Sequence, residues 1–204
     1  MNISLIDFIK CIFFRIFYLV LAKVYKFDKW HISGSYYCKP YKKQLIKIIN
    51  DLEFNSILDL GCGLGDIINR VKMCPNKFAC DIDPRVIGAA KFLNSRLYKT
   101  NINFFTESFQ LLIENKIIKD KKIDIIIMIN WSHNINKNDL SLNLKKIIKE
   151  SKCNYIIVDG IKKKYQNRYK YCHTKKFWSN FGKIKSKANS VDMVRNFYVI
   201  KILN

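Results

Sequence analysis

The 204-residue sequence carries 37 lysines and arginines against 16 aspartates and glutamates, a formal net charge of +21, yet 49% of it is hydrophobic. Such a chain is too apolar to be disordered and long enough to bury one full core without metals or cross-links. Its charge favours an acidic partner, whether nucleic acid, a phosphate-bearing substrate or an anionic membrane. Seven cysteines, an odd number without a C-x-x-C pair, argue against a zinc site or disulfide framework and fit a reducing cytosol.

Residues 1–25 are strongly apolar but interrupted by Asp7, Lys10, Arg15 and Lys23. The uncharged runs are shorter than the about 20 residues a membrane-spanning helix needs, and no signal-peptide pattern is present. The segment reads as a helix with a broad apolar surface. That surface could dock on the rest of the domain, on a second copy of the chain, or on the inner face of an anionic membrane. Residues 27–51 follow as a loop and a helix over 41–50, opened by Pro40. Trp30, His31, Tyr36, Tyr37 and Tyr41 crowd this region, so residues 1–54 read as a cap that is not independent of the core.

The most informative stretch starts at Ser56. An apolar run, Ile57 to Leu60, carries Asp59 near its end and enters a loop with Gly61, Gly63 and Gly65, and Ile67, Ile68 and Val71 then suggest a helix. The reading is strand, tight turn, helix, with glycine letting the backbone bend sharply and a ligand approach it. The dinucleotide fingerprint wants a third small residue where Asp66 stands, and no G-K-[ST] is present for a phosphate loop. A second apolar strand follows through Phe78, Ala79 and Cys80 to Asp81, Ile82, Asp83 and Pro84. Its acid lies roughly 20 residues after the glycine loop, where a carboxylate can accept ribose hydroxyls.

The set Asp59-x-Gly61-x-Gly63-x-Gly65 followed by Asp81 closely resembles the first motifs of the class I S-adenosylmethionine (SAM) methyltransferases. The resemblance covers residues 55–204. It implies a doubly wound, mostly parallel, seven-stranded Rossmann-like α/β sheet behind the helical cap, with SAM as cofactor. It also implies cofactor contacts at Asp59, Gly61, Cys62, Gly63, Gly65, Asp81, Ile82, Glu107, Ser108 and Asn130. Within that set Asp59 would meet the ammonium, the helix start at Asp66 the carboxylate, Asp81 the ribose diol, Ile82 an adenine face and Glu107 the adenine amino group.

The remaining elements fit that order. A helix is expected over 85–97, a weak strand over 101–105, and a strand buried on both faces over 123–129. The loop Asn130-Trp131-Ser132-His133 follows, then a helix over 138–150 and a strand over 155–158 ending at Asp159. Residues 165–173 form a polar aromatic loop, residues 174–180 a short helix, and 182–187 and 196–203 a closing pair of strands.

Ligands of doubly wound sheets bind beyond the carboxyl ends of the strands. His133 is therefore the first choice for a general base, since an imidazole titrates near pH ~6.5. Trp30, His31, Tyr37, Trp131, Tyr169, Tyr171 and His173 are candidates for holding the acceptor, and no metal is called for. The amino-directed DNA methyltransferases carry [DNS]-P-P-[YFW] where this chain has Asn130-Trp131-Ser132-His133, and no cysteine follows a proline as C5-cytosine chemistry requires. Trp131-Ser132-His133, Trp30-His31 and the aromatic segment loosely resemble small bacterial methyltransferases of surface-polysaccharide and lipid-linked sugar synthesis. The expected acceptor is thus a small molecule, anionic or linked to a nucleotide or lipid, methylated on oxygen or nitrogen in the cytoplasm. An RNA methyltransferase and a non-catalytic partner subunit are the alternatives.

Overall fold

A computed structural model describes residues 4–119 and 121–203. Its centre is one seven-stranded sheet in the order β3-β2-β1-β4-β5-β7-β6. The strands are β1 Ser56–Leu60, β2 Asn76–Asp81, β3 Ile102–Thr106, β4 Ile125–Met128, β5 Tyr155–Ile161, β6 Lys183–Asn189 and β7 Arg195–Lys201. The first five run parallel, whereas β7 pairs antiparallel with both β5 and β6. The helices are α1 Leu5–Tyr25, α2 Pro40–Asn50, α3 Pro84–Leu93, α4 Leu111–Glu114, α5 Lys137–Ser151 and α6 Lys175–Trp178. The expected architecture holds, and the closing strands form the antiparallel pair.

Successive strand residues point to opposite faces, so each apolar run feeds two layers. Leu58, Leu60, Ile126, Met128, Ile156 and Val158 face Leu140, Leu144 and Ile147 of α5. Ile57, Ile125, Ile127, Ile157 and Val199 face Leu45, Ile46 and Ile49 of α2. Each fully buried isoleucine or leucine contributes about 1.5–3 kcal/mol. A third cluster joins Tyr18 and Leu21 of α1 and the following Phe27 and Ile32 to Val86, Ala89 and Leu93 of α3. The cap is thus packed on the core at two places.

Two expectations are corrected. No α-helix follows the glycine loop; Ile68–Arg70 makes a single 3-10 turn. Ile67, Ile68 and Val71 do turn inward, but into the layer that α2 already fills. Helix α2 covers that face of β1, and the short connection is fixed instead by Asp66. The Asp66 carboxylate accepts from the Tyr18 hydroxyl, the Tyr36 N–H, Lys42 Nζ and Arg70 Nη1 at 3.1–3.4 Å. The expected helix start for a cofactor carboxylate is therefore absent. The second correction is the cysteines: Cys11 of α1 and Cys38, just before α2, are disulfide-bonded. Packing α1 beside the 35–39 turn brings together two thiols that lie 27 residues apart in sequence. Helix α4 was not foreseen, and β5 runs on past Val158, so that Asp159 lies inside the strand.

Candidate active site

The tips of β1 and β4 open on a cleft of about 170 Å³ whose far wall is the cap. Its lining includes Asp59, Gly61, Cys62 and Gly63 from the β1 tip, Ile129 and Asn130 after β4, and Trp30, His31, Lys39, Tyr41 and Lys42 from the cap. The glycines are required by geometry. Gly61, Gly63 and Gly65 have φ of +69°, +54° and +75°. A Cβ on Gly61 would overlap the Trp131 indole, and one on Gly63 would lie 3.3 Å from His31 Nδ1. Gly61 and Gly63 therefore sit directly against one aromatic ring each, Trp131 and His31.

Asp59 is almost wholly buried, and its Oδ2 finds no hydrogen-bond partner. Burial raises its pKa to about 8, with nearby Asp81 acting the same way and Lys42 opposing. A cation reaching that oxygen would satisfy it, which is what the ammonium of SAM offers, so the buried acid fits the cofactor. Asp81 is tied into the same structure: its Oδ2 accepts from the Gly63 N–H at 3.0 Å and its Oδ1 from the Asp83 N–H at 3.2 Å.

Asn130 holds φ at +68°, a left-handed conformation that asparagine tolerates better than most residues. Its N–H donates to Asp159 Oδ1 and its side-chain oxygen accepts from Arg195. Arg195 also pairs with Asp159 at 2.8 Å, both side chains being buried, and lies 4.3 Å from the Tyr41 ring centre. This network ties the β4 tip to β5 and β7. Arg195 and Asp159 had no sequence signal beyond the strand-end acid.

The three histidines separate. His31 lines the cleft, its ring 3.9 Å from that of Trp30, and burial lowers its pKa although Asp81, Asp28 and Asp83 oppose this. His133 is buried edge-on against Tyr169, 4.5 Å between ring centres, with Nε2 lacking a partner. It is not among the residues lining the cleft. Burial lowers its pKa too, against the pull of Asp159. His173 donates from Nε2 to the Ser132 carbonyl at 2.9 Å and packs on Phe177 and Trp178, as a structural residue would.

The other expected residues divide in the same way. Trp30 is half-exposed at the cleft edge, whereas Tyr37 packs against Phe14 and Tyr36. Trp131 covers Gly61 and meets Phe109 edge-on, and Tyr171 donates its N–H to the His133 carbonyl. Ile82 is largely exposed beyond the β2 tip. The Glu107 N–H donates to the Asp81 carbonyl, and Ser108 Oγ accepts from Leu111 at the start of α4. Lys39 and Lys42 were not singled out from the sequence, because a lysine-rich chain gives no contrast to pick them by. Burial lowers the pKa of Lys39, and Arg195 and Lys42 lower it further.

A sheet of this order, with a three-glycine loop at the tip of its central strand and a buried acid beneath it, is the Rossmann-like SAM-dependent methyltransferase fold. Residues 51–194 match the methyltransferase-domain family, and the chain belongs to it. Similar solved structures include the N-methyltransferase NodS from Bradyrhizobium japonicum WM9 in complex with S-adenosylhomocysteine. It is 13% identical, with a TM-score of 0.70, 92% of this chain and 98% of that chain covered. Magnesium protoporphyrin IX methyltransferase (ChlM) from Synechocystis PCC 6803, with bound S-adenosylhomocysteine, is 14% identical at a TM-score of 0.63, covering 80% and 83%. WbdD, a bifunctional kinase-methyltransferase, is 14% identical at 0.61, covering 77% of this chain and 40% of that one. No curated protein matches the sequence. The chain is thus a methyltransferase, and SAM is its cofactor.

Proposed function

We propose that this enzyme methylates an oxygen or nitrogen of a small, anionic acceptor, such as a nucleotide- or lipid-linked sugar of the kind used in surface-polysaccharide synthesis. The observation that carries the reading is Lys39. It lines the cleft, is partly withdrawn from water, sits beside Arg195 and Lys42, and makes no ion pair among the described residues. Lys42 already pairs with Asp66 at 3.4 Å. A desolvated ammonium among other cations is a place for a carboxylate or phosphate.

In this reading the cofactor's ammonium meets Asp59 Oδ2, its carbon skeleton runs along Gly61 to Gly65, and its ribose reaches Asp81, with Cys62 and Asn130 as further contacts. SAM supplies an electrophilic methyl group on a sulfonium. What the chain adds is chiefly alignment of the acceptor atom behind that methyl, since in-line displacement at carbon gains most from orientation. Trp131 and His31 pack on the loop, with Trp30 at the cleft edge. Where the nucleophile carries a proton of high pKa, a general base is required, and His31 lies in the cleft with its pKa held down by burial, which keeps the imidazole neutral. His133, packed edge-on against Tyr169 and outside the cleft lining, is the second candidate.

The test is turnover of tritiated SAM against nucleotide sugars, sugar phosphates, lipid-linked saccharides and RNA, using wild type and Lys39→Ala. Methylation of an anionic sugar, with KM for that acceptor raised at least about tenfold by the substitution and SAM affinity unchanged, supports the reading. Labelling confined to RNA would replace it. Loss of SAM affinity in Lys39→Ala would assign this lysine to the cofactor's carboxylate instead.

A further inference from the structure

We infer that the outward face of α1 is a docking surface for an anionic membrane. Helix α1 has two apolar sides. The inner one, with Tyr18 and Leu21, is spent against α3. The outer one, including Ile9, Ile12, Phe13, Ile16, Leu19 and Val20, stays 46–61% exposed. A run of large apolar side chains along a 21-residue helix is far more than the scattered exposed leucines of an ordinary surface.

Charge decides what covers it. At about 100° per residue, Lys10 falls on one border of this face and Arg15 on the other, while Lys23 lies within it at the C-terminal end, past the apolar run. All three are exposed. The helix's one acid, Asp7, is turned toward α2 and paired with Lys43 at 2.6 Å. The face is therefore apolar in the middle, basic at both edges and free of exposed acid. This matches lipid acyl chains beneath anionic headgroups, with the helix lying flat in the interface. A second copy is the poorer match, because pairing this face with itself would bring two cationic borders together in chains that each carry +21. No helix among the described residues is long and apolar enough to cross the membrane, so the mode is docking.

The surface is also coupled to the cleft. The Cys11–Cys38 bridge joins α1 to the residue next to Lys39 on the cap wall. A membrane under α1 would bring that wall close to the lipid surface. The inference itself needs only the helix face and does not rest on the acceptor assignment.

The experiment is flotation of the full chain with vesicles of phosphatidylcholine alone and of phosphatidylcholine mixed equally with phosphatidylglycerol. Binding to the mixed vesicles at least about tenfold stronger than to the neutral ones is expected. The triple variant Ile12→Ser, Phe13→Ser, Ile16→Ser should lose that binding while still binding SAM, since all three side chains already face water. Lys10→Gln with Arg15→Gln should weaken it about tenfold or more. Full-length protein that ignores the mixed vesicles overturns the inference, as does a triple-serine variant that floats like wild type. Sedimentation as a dimer that the triple variant dissolves would assign the face to a second copy and equally overturn it.

Discussion

Arg195 holds Asn130 and Asp159 with one nitrogen: its Nη1 lies 2.9 Å from Asn130 Oδ1 and 2.8 Å from Asp159 Oδ2. The pair is buried, and it steadies a residue in left-handed conformation at the tip of β4. Removing one partner of a buried ion pair strands the other charge, which costs about 3–5 kcal/mol. Arg195→Met is expected to lower the unfolding free energy by that amount in urea titration. Asn130→Gly, which keeps the backbone conformation, should leave stability nearly intact and lower kcat through a loosened cleft wall.

Asp59 makes a prediction about protons. Its carboxyl is raised from 3.8 to about 8 by burial, so at neutral pH it is largely protonated until a cation arrives. SAM binding near pH 7 should then release close to one proton, measured by calorimetry in buffers of different ionisation enthalpy. Asp59→Asn should abolish that release and weaken SAM binding at least about tenfold. The sign for stability follows from the same shift. The ligand-free fold keeps this proton where the unfolded chain has lost it, so its stability falls as pH rises from about 4 to 8. The Asn variant should lose less stability over that window.

Asp66 gathers Tyr18, Tyr36, Lys42 and Arg70 from four segments. Asp66→Ala would leave a buried hydroxyl and two partly buried cations without it, and a loss of about 3–5 kcal/mol is expected. Hydrogen exchange should show α1 and the 35–39 turn opening before the sheet does.

His31 and His133 are distinguished by kinetics. If His31 is the base, His31→Gln lowers kcat about 10²-fold with SAM affinity little changed, and the acid limb of the pH profile disappears. That limb should lie below the ordinary histidine value, as burial of His31 dictates. His133→Gln is expected to lower the melting temperature and keep the limb. The reverse pattern would make His133 the base.

The sequence alone pointed to the sheet: runs such as Ile125–Met128 suit strands buried on both faces, and the resemblance carried by the glycine loop and Asp81 implied their arrangement. It determined the turn after β1 too: three glycines at alternate positions after Asp59 encode the left-handed conformations found there. Both are local signals, written in contiguous residues. Tertiary structure decided what depends on neighbours distant in sequence. The helix expected after the glycine loop gave way because α2 had taken its place on the sheet, and Cys11 met Cys38 because α1 packs beside the turn before α2. Arg195 reached Asn130 across 65 residues, and Lys39 became a partly buried cation among many ordinary lysines. Burial and proximity, which set those roles, are properties of the packed chain and leave no periodic trace in its sequence.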